Sequence, residues 1–150
     1  MNAIRKVLLA ADGTPHSANA ARFVARMIPR DGSAEVDVLT VLSYGVYPEK
    51  VADDGGPTVV EMNEAIDDAT IESVDILHDA GIKTRVAHRY GSPVAGIIEE
   101  SDEWEPELIV LGSRGLRGTA RMFGASVSQR VVRETNRPVL IVPLPASSDT

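Results

Sequence analysis

Short apolar runs rich in β-branched residues alternate with amphipathic stretches along the whole 150-residue chain. Val7–Ala11, Val36–Leu42, Ile82–His88, Leu108–Leu111 and Val139–Val142 read as strands, the third of them half polar. Between them, apolar residues recur at helical spacing. Ala20, Phe23, Val24, Met27 and Ile28 mark a first helix over Ser17–Ile28, introduced by Thr14 as N-cap and Pro15 at the first position. Asp31-Gly32 then turns the chain into the second strand. Val59, Met62, Ile66, Ala69, Ser73, Ile76 and Ala80 mark a second helix, which Gly81 stops. Ser92-Pro93 repeats the cap-and-proline start for a third, with Val94, Ile97 and Ile98. A fourth covers Ser126–Glu134 and turns Val127, Val131 and Val132 inward. Strands that alternate with helices run parallel, with helices covering both faces of the sheet. The expectation is an α/β three-layer sandwich around a five-stranded parallel sheet, one domain over residues 1–145. Ser43–Thr58 should form a loop and residues 146–150 a disordered tail.

Composition removes several function classes. The chain has no cysteine, so disulfides, thiolate metal sites and thiol nucleophiles are absent. No apolar run approaches the roughly 20 residues that span a bilayer. The first strand begins directly after Arg5 and Lys6, without a signal-peptide pattern. A cytoplasmic protein with no membrane partner is expected. The net charge of −7 opposes general affinity for nucleic acid. That charge is unevenly spread: residues 49–79 hold ten acidic groups against one lysine, whereas residues 112–137 hold six arginines against one glutamate.

The basic segment also carries the most specific local pattern. The run Leu108-Ile109-Val110-Leu111 stops at Gly112-Ser113-Arg114-Gly115, and Gly124-Ala125-Ser126-Val127-Ser128 then opens the last helix. Glycine lets backbone approach a ligand closely. A helix start presents unpaired N–H groups and a partial positive charge. Together they can cradle phosphate. In open parallel sheets a ligand sits beyond the carboxyl ends of the strands, where the strand order reverses. Asp12-Gly13 and Gly112–Gly115 should lie side by side at such a point. A tight strand-to-helix turn without a ligand is the competing explanation for Gly112 and Gly115. Asp12 serves equally well as a cap for the first helix, and Arg114 as a solvated charge.

With these segments in this order, residues 4–143 resemble a universal stress protein domain. The resemblance rests on Val7-Leu8-Leu9-Ala10-Ala11-Asp12-Gly13-Thr14, Leu39-Thr40-Val41 and Val110-Leu111-Gly112-Ser113-Arg114-Gly115. Ser126-Val127-Ser128-Gln129-Arg130-Val131 and Pro138-Val139-Leu140-Ile141-Val142-Pro143 complete it. The family's ATP-binding branch is marked by Gly-x2-Gly-x9-Gly-(Ser/Thr). Gly112, Gly115 and Ser126 fit, with Ala125 in place of the third glycine; the other register uses Gly124 and puts Ala125 where the hydroxyl belongs. The resemblance implies strand order 3-2-1-4-5. It implies an adenine lined by Ala10, Ala11 and Val41, with Asp12 near the ribose and the metal–phosphate side. Leu111, Gly112, Arg114 and Gly115 would wrap ribose and phosphates. Ser126, Val127 and Ser128 would present N–H and hydroxyl groups to the phosphates, beside Ala125.

The same resemblance implies a homodimer in which strands Val139–Val142 pair across a two-fold axis, with Pro143 and Pro145 limiting further growth. The implied function is a regulatory stress-response protein that binds ATP, with Mg²⁺ as its companion, and is not an enzyme. No positioned nucleophile or general base is evident, and slow ATP hydrolysis is left open. Ala125 favours an alternative: a stress-protein dimer that binds no nucleotide and acts as a protein-interaction module. An adenylating pyrophosphatase would need a serine- and glycine-rich loop after the first strand, which Ala10-Ala11-Asp12-Gly13-Thr14 is not. A phospho-receiver would need an acidic residue where Arg89-Tyr90-Gly91 stands, and a lysine beyond Lys83. His16, His78 and His88 lack metal-ligand spacing. Trp104 reads as a packing anchor beneath a loop, and the carboxylates of residues 99–107 as a solvated helix end.

Overall fold

A computed structural model describes residues 3–42, 59–113 and 125–145. Strands and helices alternate as β1 (Lys6–Ala10), α1 (Pro15–Met27), β2 (Glu35–Leu42), α2 (Val59–Asp79), β3 (Lys83–Tyr90), α3 (Pro93–Trp104), β4 (Leu108–Ser113), α4 (Ala125–Glu134) and β5 (Val139–Pro143). All five strands are parallel, in the order β3-β2-β1-β4-β5. The expected Ser43–Thr58 loop and the 146–150 tail lie outside the described residues.

This order puts the most apolar strands in the middle, as a parallel sheet covered on both faces requires. The pleat then divides the core. Val7, Leu9, Val36, Val38 and Val110 meet Ala20, Val24 and Leu77 of α1 and α2 on one face. Leu8, Ala10, Leu39, Val41, Ile109 and Leu111 meet Val94, Ile97 and Val131 of α3 and α4 on the other. Each such Leu, Ile or Val contributes roughly 1.5–3 kcal/mol by leaving water.

The helix ends follow the punctuation in the sequence. Pro15 opens α1 and Pro93 opens α3, where the Ser92 hydroxyl accepts the Ala95 N–H at 3.5 Å. At the end of α2, Gly81 has φ 75°. There Ile82 N–H bonds Leu77 O at 3.0 Å and Gly81 N–H bonds His78 O at 2.9 Å, the paired closure that a left-handed glycine permits. Some expected details shift. β3 starts at Lys83 and continues to Tyr90, because pairing with β2 persists to Leu42↔Tyr90. Val132 is 49% exposed, not inward, since α4 covers the sheet with Val131 and, in part, Val127. Trp104, expected as a packing anchor, meets cations from two strands. The ammonium of Lys6 lies 4.6 Å from its ring centroid and the Arg85 guanidinium 5.5 Å. No helix among the described residues is long and apolar enough to cross a membrane.

Candidate functional site

β1 and β4 pair through Val7↔Leu108, Leu8↔Ile109 and Leu9↔Val110. β4 continues beyond this along β5 to Ser113↔Pro143, and β1 along β2 to Ala10↔Leu39. The two central strands thus part at their carboxyl ends. The strand order reverses at the same place, with β2 and β3 on one side and β5 on the other. Such a parting is the usual ligand crevice of an open parallel sheet. Ala10, Ala11 and Asp12 follow one wall, Leu111 and Gly112 the other, and Val41 lies near the end of β2 next door.

The apolar members of this set are buried in the core, on two faces of the sheet. Ala10, Ala11, Val41 and Leu111 are all 1% exposed or less. Ala10, Val41 and Leu111 share the α3–α4 face, whereas Ala11 turns to the α1–α2 face. The Ala11 N–H donates to Leu39 O at 2.8 Å, and its carbonyl accepts the Thr40 hydroxyl at 3.2 Å, which ties the end of β1 to β2. Val41 is pressed by α3. At Gly96 that helix carries no side chain, and a Cβ there would lie 2.7 Å from Val41 Cγ2.

Asp12 and Gly112 both have structural work in this chain. Asp12 Oδ1 accepts the Thr14 N–H at 3.0 Å and the Thr14 hydroxyl at 2.5 Å. That carboxylate fixes the turn from β1 into α1, while Gly13 takes φ 79° against the Asp68 carbonyl of α2. The carboxylate braces the residue that precedes α1 and caps none of the helix's own N–H groups, since the N-cap position is held by Thr14 without a side-chain cap bond. At Gly112, a Cβ would lie 2.5 Å from the His16 carbonyl oxygen and 2.7 Å from its carbon. The first turn of α1 crosses β4 at this point, so the glycine is required by helix–strand packing whether or not a ligand binds. Arg114 and Gly115 lie outside the described residues. Ala125 and Ser126 open α4, Val127 is half-buried, and Ser128 is buried.

A second cluster escaped the sequence reading. Asp37 interrupts apolar β2 and is fully buried, and Glu100 of α3 is 4% exposed. Arg89 of β3 bonds Glu100 Oε1 through Nε at 3.1 Å and Nη2 at 3.0 Å, and reaches Glu103 at 2.6 Å. Arg85, the register partner of Asp37, lies 3.4 Å from both Asp37 Oδ1 and Glu100 Oε2. Residues 99–107 are thus not simply a solvated helix end. Glu99, Asp102 and Glu103 face solvent, but Glu100 enters the core. Burial, then the hydrogen bond and repulsion from Glu100, push the Asp37 carboxyl up to about 8 against the attraction of Arg85. Burial also opposes the charge on Glu100. The hydrogen bonds from Asp37 and Arg89 and the two guanidiniums outweigh it and hold that carboxyl below its usual range. The available signal was an acid in the centre of an apolar run. Among the described residues, no group of three or more His, Asp or Glu could hold a metal ion.

Comparison with known proteins places this architecture. The universal stress protein family model matches residues 3–143. Universal stress protein YxiE of Bacillus subtilis is 31% identical over 146 residues, which span 91% of this chain and 97% of that one. Universal stress protein MJ0531 of Methanocaldococcus jannaschii is 26% identical over 145 residues, 96% of this chain and 85% of its own. A universal stress protein family protein of Arabidopsis thaliana, solved with AMP bound, shares the fold with a TM-score of 0.68 at 19% identity, over 97% of each chain. Family match, strand order and helix placement agree along almost the whole chain: it belongs to the universal stress protein family.

Proposed function

We propose that this protein is a regulatory stress-response protein that binds ATP, with Mg²⁺ as companion cation, in the crevice between β1 and β4. The observation that carries this reading is the early end of the β1–β4 ladder at Leu9↔Val110, at the point where the strand order reverses. The family relationship supports it, as does AMP bound to a relative of the same fold. Ala10, Ala11 and Val41 would lie beneath the base. Asp12, Leu111, Gly112, Arg114 and Gly115 would surround ribose and phosphates, and the N–H groups of Ala125, Ser126, Val127 and Ser128 would receive the phosphates. Because α4 begins at Ala125, the third-glycine position takes a helical backbone that alanine adopts without strain. Occupancy, not catalysis, would carry the signal, in a cytoplasmic protein.

The proposed assembly is a homodimer through Val139–Val142. β5 stands at the edge of the sheet with Ile141 37% exposed, and Gln129, Val132, Arg133 and Ile141 line a mainly apolar groove beside it. An apolar edge strand left open invites pairing. Thermal melting with increasing Mg·ATP tests the nucleotide reading. A melting temperature that rises with the logarithm of ligand concentration supports it, by about 2.7 kcal/mol at a hundred times Kd. Unchanged melting up to millimolar Mg·ATP would replace it with the protein-interaction module.

A further inference from the structure

Asp37 and Glu100 meet where α3 lies across β2, away from the strand-end crevice. The Asp37 side chain is 0% exposed and that of Glu100 6%. Both Asp37 oxygens are buried without a hydrogen-bond donor among the described residues, Arg85 Nε standing off at 3.4 Å. A carboxylate in that position would be poorly solvated. A carboxylic acid needs only an acceptor, and Glu100, which meets the same Arg85 at 3.4 Å, provides one; its own charge is held by Arg89 and Arg85. The other groups facing the pair are few. From α3, Glu99 and Glu103 share Arg89; on β2, Glu35 lies two residues away on the same face; from β1, Leu8 stands opposite Asp37 and brings no charge. Asp37 and Glu100 therefore share one guanidinium, that of Arg85, while Arg89 is divided between Glu100 and the exposed Glu99 and Glu103; one retained proton relieves the repulsion between the two buried carboxyls.

The same seam has a second point of contact. One turn earlier on α3, Gly96 rests against Val41, four residues farther along β2 on the same face. The seam is thus apolar toward the carboxyl end of the sheet and ionisable at its centre. β2 is fixed between β1 and β3, whereas α3 lies in an outer layer.

We propose that Asp37 and Glu100 form a proton-operated latch on the α3–β2 seam: one shared proton holds the helix on the strand, and its loss favours lifting of α3. The sign follows from linkage. Burial, then Glu100, raises the Asp37 carboxyl from 3.8 to about 8, so the closed seam keeps a proton that an open one releases. The stability this group confers is complete below about pH 3.8 and is lost as the pH rises through 8. The contribution of Glu100 has the opposite sense, present above 4.5 and lost only in acid.

Carboxyl ¹³C titration of the full chain, combined with hydrogen exchange of the α3 amides, tests the latch. The Asp37 resonance is expected to move between pH 7 and 9. After correction for intrinsic exchange, α3 protection relative to α1 should fall by about tenfold per pH unit from pH 5 toward 8 and then level off. Asp37→Asn, whose amide imitates the protonated acid, should remove that dependence. Glu100→Gln is the second variant: its amide can donate to an ionised Asp37, so the high-pH titration should vanish there too. Wild-type Asp37 titrating below pH 5, or α3 and α1 losing protection in step, would overturn the proposal.

Discussion

Gly112→Ala should destabilise the protein when no nucleotide is present. The added Cβ would stand 2.5 Å from the His16 carbonyl oxygen and 2.7 Å from its carbon, where ordinary contact begins at 3.4 Å. The two elements must separate by roughly half an ångström to one ångström. Neither yields easily, because both contacts are backbone. β4 is hydrogen-bonded on both sides, and α1 packs its Ala20, Ala21 and Val24 into the core. Forcing a methyl group into a packed interior costs about 1–3 kcal/mol, and rigid backbone on both sides puts this case near the upper end. For a domain of this size that lowers Tm by roughly 4–10 °C. Gly96→Ala is a useful contrast: its Cβ meets the Val41 methyls at 2.7 and 3.0 Å, a side chain that can shift a little, so its loss should be smaller. Thermal and urea unfolding of the nucleotide-free variants measures both. If Gly112→Ala unfolds like wild type yet no longer responds to Mg·ATP, the glycine serves the ligand and not α1, and the packing argument is wrong.

Arg89→Ala should cost about 2–3 kcal/mol near neutral pH, because it removes the closest cation from the buried Glu100 carboxylate and leaves it Arg85 at 3.4 Å and the Asp37 hydrogen bond. This is less than the ~3–5 kcal/mol of a fully buried broken pair, since Arg89 retains some solvent. As Glu100 ionises below its usual range in the native protein, the deficit should shrink in strong acid, where the carboxylate is lost; urea titrations at pH 7 and pH 3 compare the two. Ile141→Lys should convert a dimer into a monomer in sedimentation velocity while changing unfolding by no more than about 0.5 kcal/mol, because Ile141 is already 37% exposed in the single chain. A variant that remains dimeric would place the interface elsewhere.

The elements most legible in the sequence are those fixed by local chemistry. Short apolar runs bounded by glycine or proline gave β1, β2, β4 and β5. The prolines after Thr14 and Ser92 marked the starts of α1 and α3, although apolar spacing alone placed the first helix at Ser17–Ile28 and the structure has it at Pro15–Met27. Strand ends were less legible, since β3 and β4 extend as far as their neighbours' hydrogen bonds carry them, through polar residues such as Arg89 and Ser113. Gly112 was visible as a special position, but its reason was not: the obstacle is the backbone of His16, on another element. Glu100 illustrates the same limit. A glutamate among Glu99, Asp102 and Glu103 reads as surface until α3 is laid against Asp37 and the arginines of β3. Asp37 itself was readable as a charge inside an apolar strand, though its partner was not.

The central claim is that the crevice between β1 and β4 receives adenine nucleotide, and mapping amide chemical shifts during a Mg·ATP titration tests it most directly. The expected result is a saturable set of shifts at Ala10–Asp12, Val41 and Leu111–Ser113, joined by Ala125–Ser128 at the mouth of α4. Shifts gathered at the opposite end of the sheet, around His78, Gly81 and Lys83, or no saturable shifts at all, would contradict it.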